Sequence, residues 1–258
     1  MKVYLNTNCP NFFKILHEDQ RVDEDSELVL CKYMDFQKFL SFVLNSQIYF
    51  PLISQFEDSF EADITQLKLS SSLEKIFKNA VDNGVNLGER FRALSFCNDT
   101  DECDLMWRAY CPSGGVRLKI NMLKFVESID SSSDAREAFL CKVKYIRDTK
   151  IGTKNFREIQ KNICPMAFKK AHYKAENEYR IISGTKNVEI KESLNIKNGE
   201  WIQGSEYINF NFFDFIDSIT LGPRLSIIQR KILDSKLIQD TLNVSEINDS
   251  KIKIRDIS

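Results

Sequence analysis

Residues 175–182 read A-E-N-E-Y-R-I-I, and this stretch carries the strongest structural signal in the chain. Its aromatic and β-branched residues are typical of a β-strand. Because side chains alternate between the two faces of a strand, Glu176, Glu178 and Arg180 are predicted to project together, roughly 7 Å from one to the next. Two carboxylates and a guanidinium on one face form either a salt-bridged surface in solvent or the polar floor of a site.

Charge is unevenly distributed along the chain, although its sum is close to zero. The 258 residues carry a formal net charge of −1, which argues against a protein that coats nucleic acid over its whole surface. Residues 17–66 hold 11 acidic and 3 basic side chains, whereas residues 142–174 hold 10 basic and 2 acidic ones. The basic tract 142–174 is either the solvated face of a helix or a positive wall for a phosphate-bearing ligand.

Cysteine and histidine usage argues against a metal centre. The chain has only two histidines, and its seven cysteines never form a C-x-x-C pair. We therefore expect no metal site, and the scattered cysteines fit small buried side chains in a reducing cytosol. No stretch approaches the roughly 18 apolar residues of a membrane span, and the first residues lack the apolar core of a signal peptide. These features predict a cytoplasmic protein without a membrane anchor.

Helices and strands alternate along the chain without a strict β-α-β order. A strand is predicted at 28–33, followed by a helix that Asp35 caps, because apolar residues recur at helical spacing from Phe36 to Leu44. Further strands are predicted at 47–50, 92–97, 116–120, 138–146, 188–190, 207–210 and 217–221, and helices at 60–82, 105–110, 154–174 and 226–238. The mixture predicts an α+β fold, a mixed β-sheet flanked by helices, in a single domain over residues 1–258.

Common catalytic motifs are absent from the sequence. The chain has no P-loop, no dinucleotide-binding glycine motif and no nucleophile elbow. The acidic loop 56–61 (F-E-D-S-F-E) contains Asp58 and Glu61. Its aromatic residues either pin the loop to the core while the acids face water, or place Asp58 or Glu61 along a cleft.

Aromatic and basic residues suggest where a ligand could bind. Residues 105–110 (L-M-W-R-A-Y) place Trp107 and Tyr110 at i and i+3 of a helix, where they form either core packing or a platform for stacking a base. Lys32 and Tyr33 end a buried strand, and a charged side chain there is expected to point towards a cleft or a partner.

Five segments, in the same order, resemble the motifs of an uncharacterised bacterial family, domain-of-unknown-function family 2971. Its members read K-Y, then Y-F-[ST]-x-P-x-x-F-N-D-P-F-E, then L-M-W-x-x-Y before a Gly-led strand, then E-x-E-[YW]-R and I-x-L-G-P. The matching segments are Lys32-Tyr33, Tyr49–Glu61, Leu105–Tyr110 with Gly115-Val116, Glu176–Arg180 and Asp217–Ser226. The resemblance covers about residues 28–226 and leaves 227–258 as a helical and polar tail. The chain departs from the pattern at Glu57 and Ser59, where the family has Asn and Pro.

A more distant resemblance, carried by the K-Y opening and the N-E-Y-R-I-I strand, is to the ADP-ribosyltransferases. It implies a split sheet and an enzyme that consumes NAD, of the kind found among bacterial toxins and phage-defence effectors. By this resemblance Glu178 stabilises an oxocarbenium-like ribose and Glu176 orients the acceptor. For such an enzyme the expected cofactor-binding residues are Lys32, Tyr33, Asp58, Trp107, Tyr110 and Arg180, with Tyr110 stacking on nicotinamide and with Lys32 and Arg180 holding phosphate or fixing the carboxylates.

Two alternatives stay open at this point. The first is a non-catalytic module that binds a nucleotide or a nucleic acid through the basic tract 142–174. The second is a metal-dependent nuclease built on Asp58, Glu61 and Glu176, although the chain lacks a D…E-x-K signature. The expected partner is a small-molecule nucleotide, with a protein or nucleic acid as acceptor.

Overall fold

The computed structural model describes residues 13–15, 28–56, 87–89, 91–128, 138–146, 168–184, 207–242, 244 and 246–252. The strands of this part of the chain are β1 (Phe13–Ile15), β2 (Val29–Asp35), β3 (Gln47–Tyr49), β4 (Phe91–Cys97), β5 (Gly115–Asn121), β6 (Ala138–Lys142), β7 (Lys144–Ile146), β8 (Phe168–Lys170), β9 (Glu178–Gly184), β10 (Tyr207–Asn209), β11 (Ile216–Leu221) and β12 (Ile247–Asp249). The α-helices are α1 (Phe36–Asn45), α2 (Asp104–Tyr110), α3 (Met122–Glu127), α4 (Ile227–Leu233) and α5 (Lys236–Leu242). Short 3-10 helices lie at Ile53–Gln55, Leu87–Glu89 and Ala171–Glu176.

The chain divides into two units that interleave in sequence. Unit 1 consists of Met1–Arg21, Phe50–Ser95 and Asp134–Glu206, and unit 2 consists of Val22–Tyr49, Phe96–Ser133 and Tyr207–Ser258. Strand β4 contributes its first five residues to unit 1 and its last two to unit 2. The single domain expected from the sequence stays a prediction beside this division.

Unit 1 contains strands in the order β1-β6-β9-β4. Strand β1 runs parallel to β6, and β6 is antiparallel to β9, so the sheet is mixed. A separate parallel pair joins β7 to β8. Tyr179, Ile181 and Ile182 of β9 are buried, which agrees with the strand predicted from their side chains.

In unit 2 the last residues of β4 lie beside β2, and the strand order continues with β5, β11 and β12. Strand β11 is antiparallel to β5 and parallel to β12, so this part is mixed as well. Strands β3 and β10 form a separate antiparallel ribbon. Phenylalanines supply much of the core of this unit, and the rings in contact with Phe42 are those of Phe39, Phe210, Phe213 and Phe215. The predicted α+β class, with a mixed sheet flanked by helices, is confirmed.

Helix α1 begins where the sequence predicts. The Asp35 carboxylate accepts a hydrogen bond from the Lys38 backbone N–H at 2.9 Å, which satisfies one of the unpaired donors of the first turn. The helix ends at Ser46, which has a left-handed backbone with φ of 51°. Among the described residues, no helix is long and apolar enough to cross a membrane.

Three sequence predictions differ from the observed elements. The predicted helix 154–174 is wrong at its C-terminal end, because residues 168–170 form β8, held by parallel pairing with β7, and residues 171–176 form a 3-10 helix. The predicted strand 138–146 is two strands that pair with different partners. The predicted helix 226–238 is two helices, because the α4 turn closes at Asp234 and α5 starts at Lys236.

Two further predictions need local corrections. Apolar and basic residues alternate over 116–120, which predicts a strand exposed on one side, but Arg117 is buried and only Lys119 of β5 is exposed. The polar residues 99–104 predict a side-chain cap for the helix at 105–110, but the N-cap of α2 is Cys103, which makes no side-chain hydrogen bond. The predicted helix 60–82, the strand 188–190 and the loop residues Asp58 and Glu61 lie outside the described residues.

Candidate functional site

The glutamates of the A-E-N-E-Y-R-I-I segment lie on two different elements of unit 1. Glu176 ends the 3-10 helix Ala171–Glu176, and Glu178 begins β9. Between them Asn177 takes a left-handed backbone with φ of 42°, a conformation that asparagine tolerates better than most residues. The strand therefore starts three residues later than the segment 175–182 predicts, because this turn redirects the chain.

Four charged side chains converge here and form the carboxylate cluster, defined as Lys169, Glu176, Glu178 and Arg180. The Lys169 ammonium lies 2.7 Å from Glu176 Oε2 and 3.2 Å from Glu178 Oε2. Arg180 Nε lies 2.6 Å from Glu178 Oε1, and its Nη2 donates to Oε2 at 3.1 Å. All four residues are buried, and the Arg180 side chain is 0% exposed. Two positive charges thus neutralise two negative charges out of solvent.

Aromatic and hydroxyl groups of unit 1 surround the cluster. The Tyr145 hydroxyl accepts the backbone N–H of Glu178 at 2.8 Å. The Tyr173 ring lies 4.7 Å from the Lys169 ammonium, and the Phe56 ring lies 5.3 Å from the Arg180 guanidinium. These cation–π contacts stabilise both cations. The Ser95 side chain also hydrogen-bonds Glu178.

The two carboxylates have pKa values that are shifted in opposite directions. Burial alone would raise the pKa of Glu178, but the charges of Arg180 and Lys169 and the hydrogen bonds it accepts lower this pKa to about 2. Burial raises the pKa of Glu176, and the Lys169 contact offsets this effect only in part. Burial likewise raises the pKa of Tyr145 to about 12, so that its hydroxyl is neutral. One carboxylate is therefore held ionised while the other is closer to taking up a proton.

A carboxylate pair of this kind matches a general pattern in acid–base chemistry. Where two neighbouring titratable groups have pKa values pushed apart, the group with the lower pKa provides fixed negative charge and the other exchanges protons. Here the Lys169 ammonium contacts both carboxylates, so the two carboxyl groups lie next to each other.

Several members of the site were not predicted from the sequence. Lys169, Tyr145, Tyr173, Ser95 and Phe56 all contact the glutamates or their cations. A signal was available for Lys169, because two buried carboxylates require cations and the basic tract 142–174 precedes them directly. The other four are brought in by strand pairing and turns that no local pattern encodes.

Four other predicted ligand-binding residues belong to unit 2, where their described contacts are mostly structural: Lys32, Tyr33, Trp107 and Tyr110. The Tyr33 ring packs edge-on against Trp107 with a centroid distance of 4.8 Å, and both residues are buried. The Tyr33 hydroxyl accepts the Cys103 N–H, and Trp107 Nε1 donates to Glu102. Lys32 lies over the Phe96 ring at 5.3 Å.

The predicted set is therefore assembled only in part. Glu176, Glu178 and Arg180 come together in unit 1, and Tyr33 meets Trp107 in unit 2. Tyr110 is 40% exposed, and its stacking role stays a prediction. Asp58 lies outside the described residues. Within the part of the chain that the structure describes, no three His, Cys, Asp or Glu side chains are grouped as metal ligands.

Comparison with known proteins supports one of the two resemblances. No curated protein and no solved structure matches the chain. Residues 106–181, however, match a sequence family. This segment contains most of the L-M-W-x-x-Y motif and the whole E-x-E-Y-R motif, two of the five motifs on which the family was predicted. The family that residues 106–181 match is described as Protein of unknown function (DUF2971).

Proposed function

We propose that the carboxylate cluster is the catalytic centre of an ADP-ribosyltransferase-like enzyme that consumes NAD. The observation that carries this proposal is the pair of carboxylates on one ammonium, with the pKa of Glu178 lowered and that of Glu176 raised. Cleavage of the bond between ribose and nicotinamide develops positive charge on the sugar, and a fixed negative charge nearby lowers that barrier. A second carboxylate with a higher pKa can accept the proton of the attacking group.

Each residue of the cluster then has a distinct role. Glu178 provides the negative charge at the ribose, and Arg180 keeps it ionised and oriented. Glu176 accepts the proton of the acceptor nucleophile. Lys169 lowers the pKa of both carboxylates, and its contact with Glu178, at 3.2 Å the longest of the ion pairs in the cluster, is the one a ribose hydroxyl would replace.

Nicotinamide release from NAD by the full chain, followed over hours, tests the proposal. We expect release by the unaltered protein, loss of release in Glu178→Gln, and a changed pH dependence in Glu176→Gln. Asp104→Asn is the matched control, because Asp104 is an exposed acid of α2 and its loss should leave release unchanged. Thermal melts followed by circular dichroism must show that each variant is folded. Undiminished release in folded Glu178→Gln would exclude this mechanism.

One observation favours a second candidate, a non-catalytic module that binds a nucleotide or a nucleic acid. Both carboxylate oxygens of Glu178 already accept hydrogen bonds from Arg180 and Lys169, as in a cluster with a purely structural role. Binding would then use basic side chains nearby that reach solvent. In the described part of the basic tract, Lys174 and His172 are exposed and Lys170 is half-buried.

Salt dependence distinguishes the two candidates. A nucleic-acid-binding module should lose affinity for a single-stranded oligonucleotide steeply as the salt concentration increases. Binding releases counterions from the oligonucleotide, and added salt opposes this release. Lys170→Glu with Lys174→Glu should weaken that binding, whereas Lys231→Glu on α4 of unit 2 serves as the control. Lys169 is unsuitable for charge reversal, since its ammonium is buried between two carboxylates. Nicotinamide release without oligonucleotide binding would leave the enzyme as the surviving candidate.

A further inference from the structure

Four cysteines that are scattered in the sequence lie in one cluster of unit 2. Cys31, Cys97 and Cys111 are buried and Cys103 is half-buried, together with Tyr33, Met106 and Trp107. All four thiols are free. None of these cysteines belongs to the carboxylate cluster, so their grouping has no part in the proposed chemistry.

Cys31 and Cys97 occupy directly opposed positions on the antiparallel strands β2 and β4. Opposed Cα atoms in such pairs lie about 4.5 to 5.5 Å apart. A disulfide accommodates Cα separations of about 4.4 to 6.8 Å, so both values fall within its range. The two side chains already interact, and Cys97 Sγ lies 3.4 Å from the Cys31 carbonyl oxygen. The pairing of β2 with β4 therefore places the two Cα atoms at a separation that a disulfide accommodates.

A buried guanidinium lies beside this thiol pair. Arg117 Nη2 donates to the Asp99 carbonyl at 2.7 Å, and Cys31 Sγ donates to the same carbonyl at 3.4 Å. The hydrogen bond from Cys97, helped by the positive charge of Arg117, holds the pKa of Cys31 below its usual range despite burial. The same thiol–thiol hydrogen bond, with burial, raises the pKa of Cys97. Of the two thiols, Cys31 therefore ionises first.

We propose that Cys31 and Cys97 form a reversible disulfide when the protein meets a peroxide. The Cys31 thiolate attacks one oxygen of hydrogen peroxide, the O–O bond breaks, and the departing hydroxide takes a proton to leave as water. Cys97 then attacks the sulfur of the Cys31 sulfenic acid, the S–O bond breaks, and the Cys97 proton leaves with that hydroxide as a second water. In sum, two thiols are oxidised to one disulfide, and one peroxide is reduced to two waters.

The Cys31–Cys97 disulfide would add a covalent link between two strands of unit 2. It links strands whose cysteines are 66 positions apart in sequence, and closing a loop of that length restricts the unfolded chain. It also removes the hydrogen bond from Cys31 Sγ to the Asp99 carbonyl and leaves Arg117 as the donor to that group. The oxidised protein is therefore the more stable form.

Peptide mapping of the full chain after treatment with hydrogen peroxide tests this proposal. We expect two thiols fewer by maleimide labelling, a Cys31 peptide linked to a Cys97 peptide under non-reducing conditions, and recovery of both with dithiothreitol. The melting temperature should rise by roughly 5–10 °C on oxidation and fall again on reduction. Cys103→Ala, in the same cluster, should keep the linkage and the shift.

The single variants Cys31→Ala and Cys97→Ala should lose both the linkage and the shift in melting temperature. Should either variant fail to fold, the peptide map of the unaltered chain still decides the question. Thiols that survive peroxide in a folded chain would overturn the proposal, as would over-oxidation of Cys31 without linkage. A linkage of Cys31 to Cys103 or Cys111 in place of Cys97 would overturn it equally.

Discussion

At the scale of single residues, burial decides how much an ion pair contributes to stability. Arg180–Glu178 and Arg108–Asp104 have nearly equal N–O distances, 2.6 and 2.7 Å, but the first pair is buried and the second is 61% and 44% exposed. Removing a buried cation leaves an uncompensated carboxylate and costs roughly 3–5 kcal/mol. We therefore expect Arg180→Met to lower the free energy of unfolding in urea by roughly 3–5 kcal/mol.

Arg108→Met provides the matched control for this prediction. An exposed i, i+4 pair contributes roughly 0.3–0.5 kcal/mol, so this variant should unfold almost as the unaltered protein does. Adding Glu178→Leu to Arg180→Met should recover part of the lost stability, because the unpaired charge is removed with its partner. Equal losses from Arg180→Met and Arg108→Met would show that burial does not govern the energy of the cluster.

At the scale of secondary structure, the sequence predicted those elements that interactions between neighbouring residues determine. Asp35 and the apolar spacing behind it predicted α1, because a cap and a helical face are both encoded within ten residues. The 3-10 helix 171–176 and strand β8 were missed, since β8 is held by pairing with β7, over 20 positions earlier. In the candidate site, strand alternation predicted that Glu178 meets Arg180. Lys169 and Tyr145 reach Glu178 only through the turn and the strand pairing.

The cap of α1 gives a prediction at this scale. Asp35→Ala removes the acceptor for the Lys38 N–H and should destabilise the protein by about 1 kcal/mol in urea unfolding. Asp35→Asn keeps an oxygen acceptor but loses the charge that pairs with Lys38, an exposed contact of 3.0 Å. We expect this variant to stay within about 0.5 kcal/mol of the unaltered protein. Similar losses in both variants would assign the effect to the ion pair and not to the cap.

At the scale of the whole molecule, the net charge of −1 conceals a strong internal separation of charge. The basic tract 142–174 supplies Lys169, which is buried against two glutamates of the following segment. Part of the positive charge of the basic tract is therefore buried inside unit 1 and does not form a positive surface. The second candidate function depends on the exposed Lys174 and the half-buried Lys170 of the described part of the tract.

The acid stability of the whole protein should depend on Glu178. Its pKa is lowered from 4.5 to about 2 in the folded protein, where Arg180 and Lys169 overcome the effect of burial. The stability that Glu178 contributes is therefore complete above pH 4.5 and is lost as the pH falls towards 2. At about 1.4 kcal/mol per unit, the loss over this window is on the order of 3 kcal/mol.

Urea unfolding between pH 2 and 7 measures this contribution. We expect Glu178→Gln to be less stable than the unaltered protein at pH 7 and to show a flatter acid limb, because the residue that binds the extra proton on unfolding is gone. Glu176→Gln should act differently, because the pKa of Glu176 is raised in the folded protein. Glu176 therefore contributes most to stability at a pH below its pKa in the unfolded chain, and this contribution falls as the pH rises. Asp104→Asn should keep the acid limb of the unaltered protein. An acid limb that is the same in Glu178→Gln and in the unaltered protein would mean that Glu178 is not held ionised by Arg180 and Lys169.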